Sequence, residues 1–484
     1  MKFRRNTALA AIIALLSGCG GDGGGSGGAS GGSVPVATAP TPTPTTTTAG
    51  TCSLRDRQEW SAAQLREWYL FPETLPTTLD ASRYASVDDY VDALTATARS
   101  QQRDRYFTYV TSIREEDAYY ASGSSAGFGV RLSTDAVTRR AFVSEAFEGT
   151  SALAAGIDRG TEILAIGTGT ATLRSVNDII ASEGIAGVSN ALGPSTPGTA
   201  RTLQISDAAG VRTVTITKTD YSLDPVSTRY GAKVIDDGGR KVGYVNLRTF
   251  ISTADPALRA AFATFRAQGI TEIVVDFRYN GGGSIDIAEL MSDLLGGDRS
   301  STDVVDYIAF RPEKAAENTT RFFMTQPQSI AATKIAFIGT GATASASELV
   351  INAFVPYLHS RVALIGTNTY GKPVGQIGLD RAQCDDRLRV IALSVQNAAR
   401  QGAYFEGLAR TVEASCQAGD DLTRQMGDPQ EASTRQALDF LAGKTCTPIS
   451  ANTTATLSAA GTGRRLLLTP ARPTTAQREV PGLF

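Results

Sequence analysis

Histidine is nearly absent from this chain: His359 is the only one in 484 residues. Zinc-protease helices of the H-E-x-x-H type need two, so that chemistry is excluded. A Ser-His-Asp triad would have to use His359 itself. Any hydrolytic chemistry is therefore expected to run on a base other than imidazole. An excess of charge of one sign is also missing. Lys and Arg total 46 against 48 Asp and Glu, a net charge of −2, which gives no electrostatic footprint for nucleic acid. Near the start, the apolar stretch at residues 8–16 is too short to span a bilayer. Cysteine is scarce, at five. What remains is a chain too long for one ordinary domain, suited to roughly two to four.

The first residues read as a targeting segment. Lys2, Arg4 and Arg5 precede the short apolar stretch, and Leu16-Ser17-Gly18-Cys19 follows it. This resembles a bacterial lipobox, which implies a signal peptide over 1–18, cleavage before Cys19 and lipidation of that thiol. Gly20 is not the aspartate that resembles an inner-membrane retention signal, so the expected address is the periplasmic face of an outer membrane. Residues 19–51 are rich in Gly, Ser, Thr and Pro, with almost no apolar content, and are expected to form a flexible tether. The other four cysteines, Cys52, Cys384, Cys416 and Cys446, suggest two disulfides in an exported chain. Three connectivities are open. Cys384–Cys416 with Cys52–Cys446 is preferred, because the second would tie the ends of the folded body together.

Along the mature chain the pattern changes twice. Residues 52–112 read as a helical N-terminal domain: Trp60, Leu65, Trp68 and Tyr69 share a face, and Ser86 with Asp89 marks a capping box. Residues 113–220 read as β-rich, with a glycine-hinged strand at 127–132, a short Ala-rich helix ending at Gly156, a turn at Gly160 and an alternating strand at 213–217. That order resembles a PDZ domain. The resemblance makes Gly127, Phe128, Gly129 and Val130 the loop and strand that receive a peptide's C-terminal carboxylate by β-augmentation. Residues 221–448 alternate strands and helices as an α/β layer, with a late helix capped by Asp428 and ended by Gly443. Residues 449–484 are expected to be a polar tail, ordered at one edge at most and loose beyond it.

Two nucleotide motifs fail on single positions. Gly339 to Ala344 mimics a dinucleotide fingerprint, but the following strand ends Leu364-Ile365-Gly366-Thr367 with no acid for a ribose. Residues 366–372 match a Walker A sequence up to its last position, which is Pro373. Proline has neither the hydroxyl for magnesium nor an N–H for a phosphate. Lys372 is thereby left wanting another role.

Three segments carry the chemistry: Asp276-Phe-Arg278-Tyr-Asn280-Gly-Gly-Gly283, Thr343-Ala-Ser345-Ala-Ser347-Glu348 and Thr369-Tyr-Gly371-Lys372-Pro-Val-Gly-Gln376. In this order, behind a PDZ-like segment, they resemble the C-terminal processing (tail-specific) proteases, serine peptidases with a Ser-Lys dyad. The resemblance covers roughly residues 53–380. It implies an α/β multidomain fold with a ClpP/crotonase-like protease core. By the same resemblance Ser345 is the nucleophile, Lys372 the general base and Gln376 its orienting partner, with an oxyanion hole from the amides of Ala346 and Gly282. No metal or cofactor is called for. The implied partners are polypeptides with exposed C-terminal tails and, through Cys19, a lipid bilayer.

The residues make chemical sense without the family. A serine hydroxyl needs an adjacent base, and lysine at its free pKa of about 10.4 is protonated. Burial without a counter-charge lowers that value, and the sequence neighbours Thr369, Tyr370, Gly371, Pro373 and Val374 carry no carboxylate. Ser345-x-x-Glu348 also reads as a capping box, and Ser347 is a rival nucleophile. Asp276 and Arg278 are expected to fix the loop, and His359 to lie in a connection. Pro373 stands where the family more often has glycine, and the stretch from Ser345 to Lys372 is slightly long. The expected function is an exported, lipid-anchored serine endopeptidase. The alternatives are a non-catalytic peptide-binding envelope lipoprotein and a Ser-Lys amidase or esterase.

Overall fold

The computed structural model describes residues 52–450 and 465–484. The signal peptide, Cys19 and the linker fall outside the described residues.

The centre is a six-stranded sheet ordered Ala232–Asp237, Arg240–Asn246, Glu272–Asp276, Lys334–Gly339, Val362–Gly366 and Ala414–Gln417. The first two strands form an antiparallel hairpin and the others run parallel. These strands read as unbroken apolar runs because both faces are covered. Ile273 and Val275 point into the large core shared with helices Ala254–Ala267, Ile285–Leu295 and Ala346–Leu358. Val274 between them points the other way, to Ala437, Leu438 and Leu441 of helix Ala432–Leu441. That last helix is capped by Glu431, whose side chain accepts from Thr434 N, rather than by Asp428. Asp428 O instead takes Glu431 N in the preceding turn.

A second sheet brings Tyr109–Ser112, Val304–Phe310, Thr319–Phe322 and Val374–Arg381 around the long strand Asp386–Gln396. It corrects the reading of residues 52–112 as a separate domain. Helices Leu54–Trp68 and Val87–Leu94 form as expected, with Ser53 and Ser86 capping them. Their apolar faces, however, have no core of their own: Leu65, Tyr69, Val91 and Leu94 pack in one cluster with Val245, Phe277 and Ile391. The segment ends in Tyr109–Ser112, a strand of the second sheet.

The β-rich body does have its own core. Its sheet runs Arg465–Leu467, Val130–Asp135, Arg140–Ala146, Glu162–Gly167, Ala200–Asp207, Gly210–Thr217, and helix Val176–Leu192 packs over it. The chain enters and leaves through the paired strands Ser124–Gly127 and Thr219–Ser222. Residues 465–484, expected to be loose beyond an edge, are folded onto this body. Leu468, Val480, Leu483 and Phe484 are all buried, which supplies the reason.

The disulfides are Cys52–Cys384 and Cys416–Cys446, with Cα atoms 5.5 and 5.4 Å apart. This overturns the preferred pairing. Leu70 N, just past the first helix, bonds Ile391 O, and Arg57 pairs with Asp386, so the start of that helix lies beside Cys384. Cys416 sits on the sheet edge, where Gln417 N takes Thr447 O as the chain returns from the last helix. Non-reducing peptide mapping is expected to recover 52–384 and 416–446 linked peptides. Replacing Cys52 and Cys384 by serine is expected to lower unfolding free energy by roughly 2–5 kcal/mol, read by denaturant titration.

Candidate active site

The glycine segment is held from below by a buried charge cluster. Arg278 is fully buried and its guanidinium meets Asp276 at 2.9 Å, Glu431 at 2.9 Å and Asp420 at 3.1 Å. Tyr244 Oη donates to Asp276 at 2.7 Å. Burial by itself would push the Glu431 carboxyl up, but Arg278 outweighs it and holds it at about 2. Asn280 then ties the loop to the serine turn. Its amide donates to Leu247 O at 2.8 Å, its Oδ1 accepts from Gly282 N at 2.9 Å, and its carbonyl accepts from Ala344 N at 3.0 Å and Ser347 Oγ at 3.1 Å.

That network separates the two serines. Ser347 is fully buried with its hydroxyl committed to Asn280 O. Ser345 is only half-buried and sits just before helix Ala346–Leu358 with φ +56°, a left-handed conformation that costs a non-glycine residue about 1–3 kcal/mol. The sharp turn presents it beside Gly282. A Cβ on Gly282 would lie 2.7 Å from Ser345 Cβ, and Gly282 itself has φ +119°, so glycine is required there. The Gly282 N–H is already engaged by Asn280. The neighbouring Gly281 N–H instead donates to a peptide carbonyl, Glu479 O, at 3.1 Å. Ala346 N–H has no acceptor among the described residues.

Glu348, fully buried, reaches across to the lysine segment. Its Oε2 accepts from Ser345 N at 3.0 Å and Lys372 N at 2.7 Å, and its Oε1 accepts from Gly371 N at 2.7 Å. One oxygen shared by two amides keeps the backbones of Ser345 and Lys372 within about 6 Å of each other. Burial raises the Glu348 carboxyl above its ordinary value, opposed by these bonds and one from Thr369. Amides that a phosphate loop would turn on its ligand are here turned on a carboxylate.

Lys372 Nζ donates to Gln376 Oε1 at 2.8 Å and lies 4.9 Å from the Phe107 ring centroid. Gln376 Nε2 donates to Phe107 O, which leaves only its oxygen facing the amine. A β-bulge between Gly375 and Gln376 sets that direction. Lys372 is half-buried, with its amine against Gln376 and the Phe107 ring. Burial lowers its pKa below the usual lysine range; Glu479 and Asp104 oppose the shift, and Arg389 and Arg478 add to it. Glu479 was invisible to a reading of sequence neighbours alone. Arg105 was also missed: its guanidinium clamps Tyr370 O at 2.9 Å, Gly371 O, and Phe405 O at 3.3 Å, fixing the turn before the lysine. Among the described residues no hydrogen bond joins Lys372 Nζ to Ser345 Oγ. His359 is exposed beside Glu413, outside this cluster.

The segment Gly127, Phe128, Gly129, Val130 lies at an occupied sheet edge. Gly129 N and Val130 N both donate to Phe484 O, at 3.0 and 3.2 Å, and Phe484 N returns a bond to Val130 O at 2.9 Å. A Cβ on Gly127 would stand 2.8 Å from Phe484 C.

Residues 241–402 match the family model described as Peptidase family S41. The chain is 28% identical over 186 residues to carboxyl-terminal-processing peptidase 2 of Arabidopsis thaliana chloroplasts, covering 36% of this chain and 32% of that one. It is 27% identical over 256 residues to a carboxyl-terminal-processing protease of Picosynechococcus sp., covering 52% and 55%. The matches thus span about a third to a half of these relatives' length. A solved structure from Bacteroides fragilis, described as a candidate S41 protease, superposes with a TM-score of 0.60 at 24% identity, over 79% of this chain and 97% of that one, and so shares its fold.

Two buried glutamates make stability pH-dependent. Glu431 and Glu145 are held at about 2, the latter by Arg248 and Arg131 against the upward push of burial. A depressed folded pKa contributes stability above the unfolded value of about 4.5, which is lost as pH falls toward 2. Chemical denaturation at stepped pH is expected to show stability falling across that window. Arg278→Met, which strands Asp276 and Glu431 while Asp420 keeps Arg159, is expected to cost roughly 3–5 kcal/mol at neutral pH and less at pH 3.

Proposed function

We propose that the chain, whose residues 241–402 match the model of peptidase family S41, is a serine endopeptidase working through Ser345 and Lys372. The observation that carries this reading is the amine of Lys372, set against the Phe107 ring and held by the oxygen of a glutamine whose own N–H₂ is tied to Phe107 O. A neutral amine accepts the Ser345 hydroxyl proton as Oγ attacks a peptide carbonyl. The oxyanion forms against Ala346 N–H at the helix start and Gly281 N–H, the amide that faces a carbonyl already. The lysine then returns its proton to the leaving amine nitrogen, giving an acyl-enzyme and a free amino terminus. Water, deprotonated by the same amine, hydrolyses the ester. A lysine rotamer that turns from Gln376 toward Ser345 completes the dyad, in keeping with catalytic bonds that tighten only around substrate.

The same proposal assigns the β-rich body a PDZ-like role, its 127–132 edge taking extended tails by β-augmentation. It also assigns Cys19 lipidation and residues 20–51 the role of a tether at the bacterial cell envelope.

Ser345→Ala and Lys372→Ala are expected to lower kcat on tailed peptides by about 10²–10⁴-fold or more, and Gln376→Ala less, measured by release of an N-terminal fragment. Turnover is expected to rise with pH through the lysine's lowered pKa, because the base is the deprotonated form. Peptide cleavage by Lys372→Ala equal to that of the parent would end the dyad reading. Ester but not peptide turnover would favour an esterase.

A further inference from the structure

The last described segment lies along both parts of this site. Leu466 and Leu467 pair antiparallel with Thr134 and Ser133, and Leu468 N bonds Leu132 O at 2.9 Å. The chain then leaves the strand, forms the short helix Thr475–Glu479, and returns. Gly482 O accepts from Leu132 N at 2.8 Å, Leu483 bridges Arg131, and Phe484 exchanges bonds with Gly129 and Val130. The whole edge of strand Val130–Asp135 is thereby covered, by two pieces of one tail.

Between the two pieces the tail crosses the chemistry. Glu479 O takes the Gly281 N–H, and a Cβ on Gly281 would lie 2.8 Å from that oxygen. The Glu479 side chain accepts from Tyr120 Oη at 3.1 Å and faces Lys372 and Arg389. Burial raises its carboxyl above the ordinary value, against the opposing pull of the two cations. Pro481 O takes Arg131 Nη1 at 2.6 Å. Val480, Leu483 and Phe484 are each at most 3% exposed.

We propose that residues 475–484 are an intramolecular ligand of this site, seated on the strand edge and across the glycine loop, so that an incoming polypeptide tail binds only by displacing them. The consequence for turnover rests on the peptidase reading; the occupancy does not. Three features make the occupant a mimic of an extended peptide. It uses the strand's outward N–H and C=O groups. It places a peptide carbonyl on the amide assigned to the oxyanion. It ends in Phe484, which packs in the β-rich core with Phe128 and Val130. It also sets a carboxylate near the lysine, which favours the ammonium and opposes the lowering of its pKa by burial. Held in the same chain, such a ligand competes at an effective concentration on the order of millimolar. It is retained by edge hydrogen bonds and packing, with both disulfides elsewhere.

The test uses the full chain carrying Ser345→Ala and a fluorescein-labelled synthetic peptide with the sequence of residues 475–484, followed by anisotropy. Gly482→Val releases the tail without removing an apolar anchor: the position has φ +86°, and a Cβ would lie 2.9 Å from Leu132 O. Phe484→Asp releases it by a second route. Both are expected to bind the peptide with a Kd at least tenfold below that of the parent. In the parent, excess peptide is expected to speed hydrogen exchange in residues 475–484. Equal Kd values in parent and variants would overturn the proposal. So would loss of cooperative unfolding in both variants, since the tail would then be a fixed part of the body. With Ser345 restored, tighter binding without turnover by any variant would sink the peptidase reading and leave this one standing. Lys372-dependent turnover with no gain on tail release would do the reverse.

Discussion

The geometry of the candidate site depends on one buried carboxylate. Glu348 is fully buried and makes no ion pair among the described residues; backbone amides of Ser345, Gly371 and Lys372, with the Thr369 side chain, satisfy it instead. A charge or partial charge placed so deep is costly unless its lone pairs are filled. The cost of leaving them empty holds two segments, far apart in sequence, in one place. Because its contacts with Ser345 and Lys372 are to their backbones, Glu348 does not occupy either side chain. The residue that begins as a helix cap ends as the joint of the site.

Close approach is the second constraint. Gly282 lies against Ser345, Gly281 against the tail at Glu479, and Gly127 against Phe484; a methyl group at any of them would meet an atom under 3 Å away. The lack of a side chain at these three glycines therefore sets how near the loop, Ser345 and the tail can come. Arg278 and its carboxylates stop the loop from relaxing outward, since moving it would strand buried charge. Asn280 converts that anchored loop into a fixed position for the serine turn.

The helical segment at the start of the folded chain serves the same site from the outside. Phe107 supplies both the ring near the amine and the carbonyl that orients Gln376, and Arg105 clamps the turn before Lys372. A segment with an independent core could not hold those contacts as tightly. Sharing the main core and a strand of the second sheet makes these residues part of the wall around Lys372 and Gln376.

The sequence alone was enough for whatever depends on neighbours along the chain. The parallel-sheet core shows in its apolar runs, the helix over Ile285–Leu295 and the start at Ala346 show in their spacing, and the turns at Gly156 and Gly160 show in their glycines. The candidate groups Ser345, Lys372 and Gln376 were visible because each sits in a local motif. What only the tertiary structure decided are pairings across long loops. Cys52 meets Cys384, Glu348 reaches Lys372, Phe107 meets Gln376, and a tail with a polar composition folds back to cover a sheet edge and meet the Gly281 amide. Loop closure costs little more for a long span than for a short one. Which distant partners meet is therefore settled by packing of whole elements, and no spacing in the sequence records it.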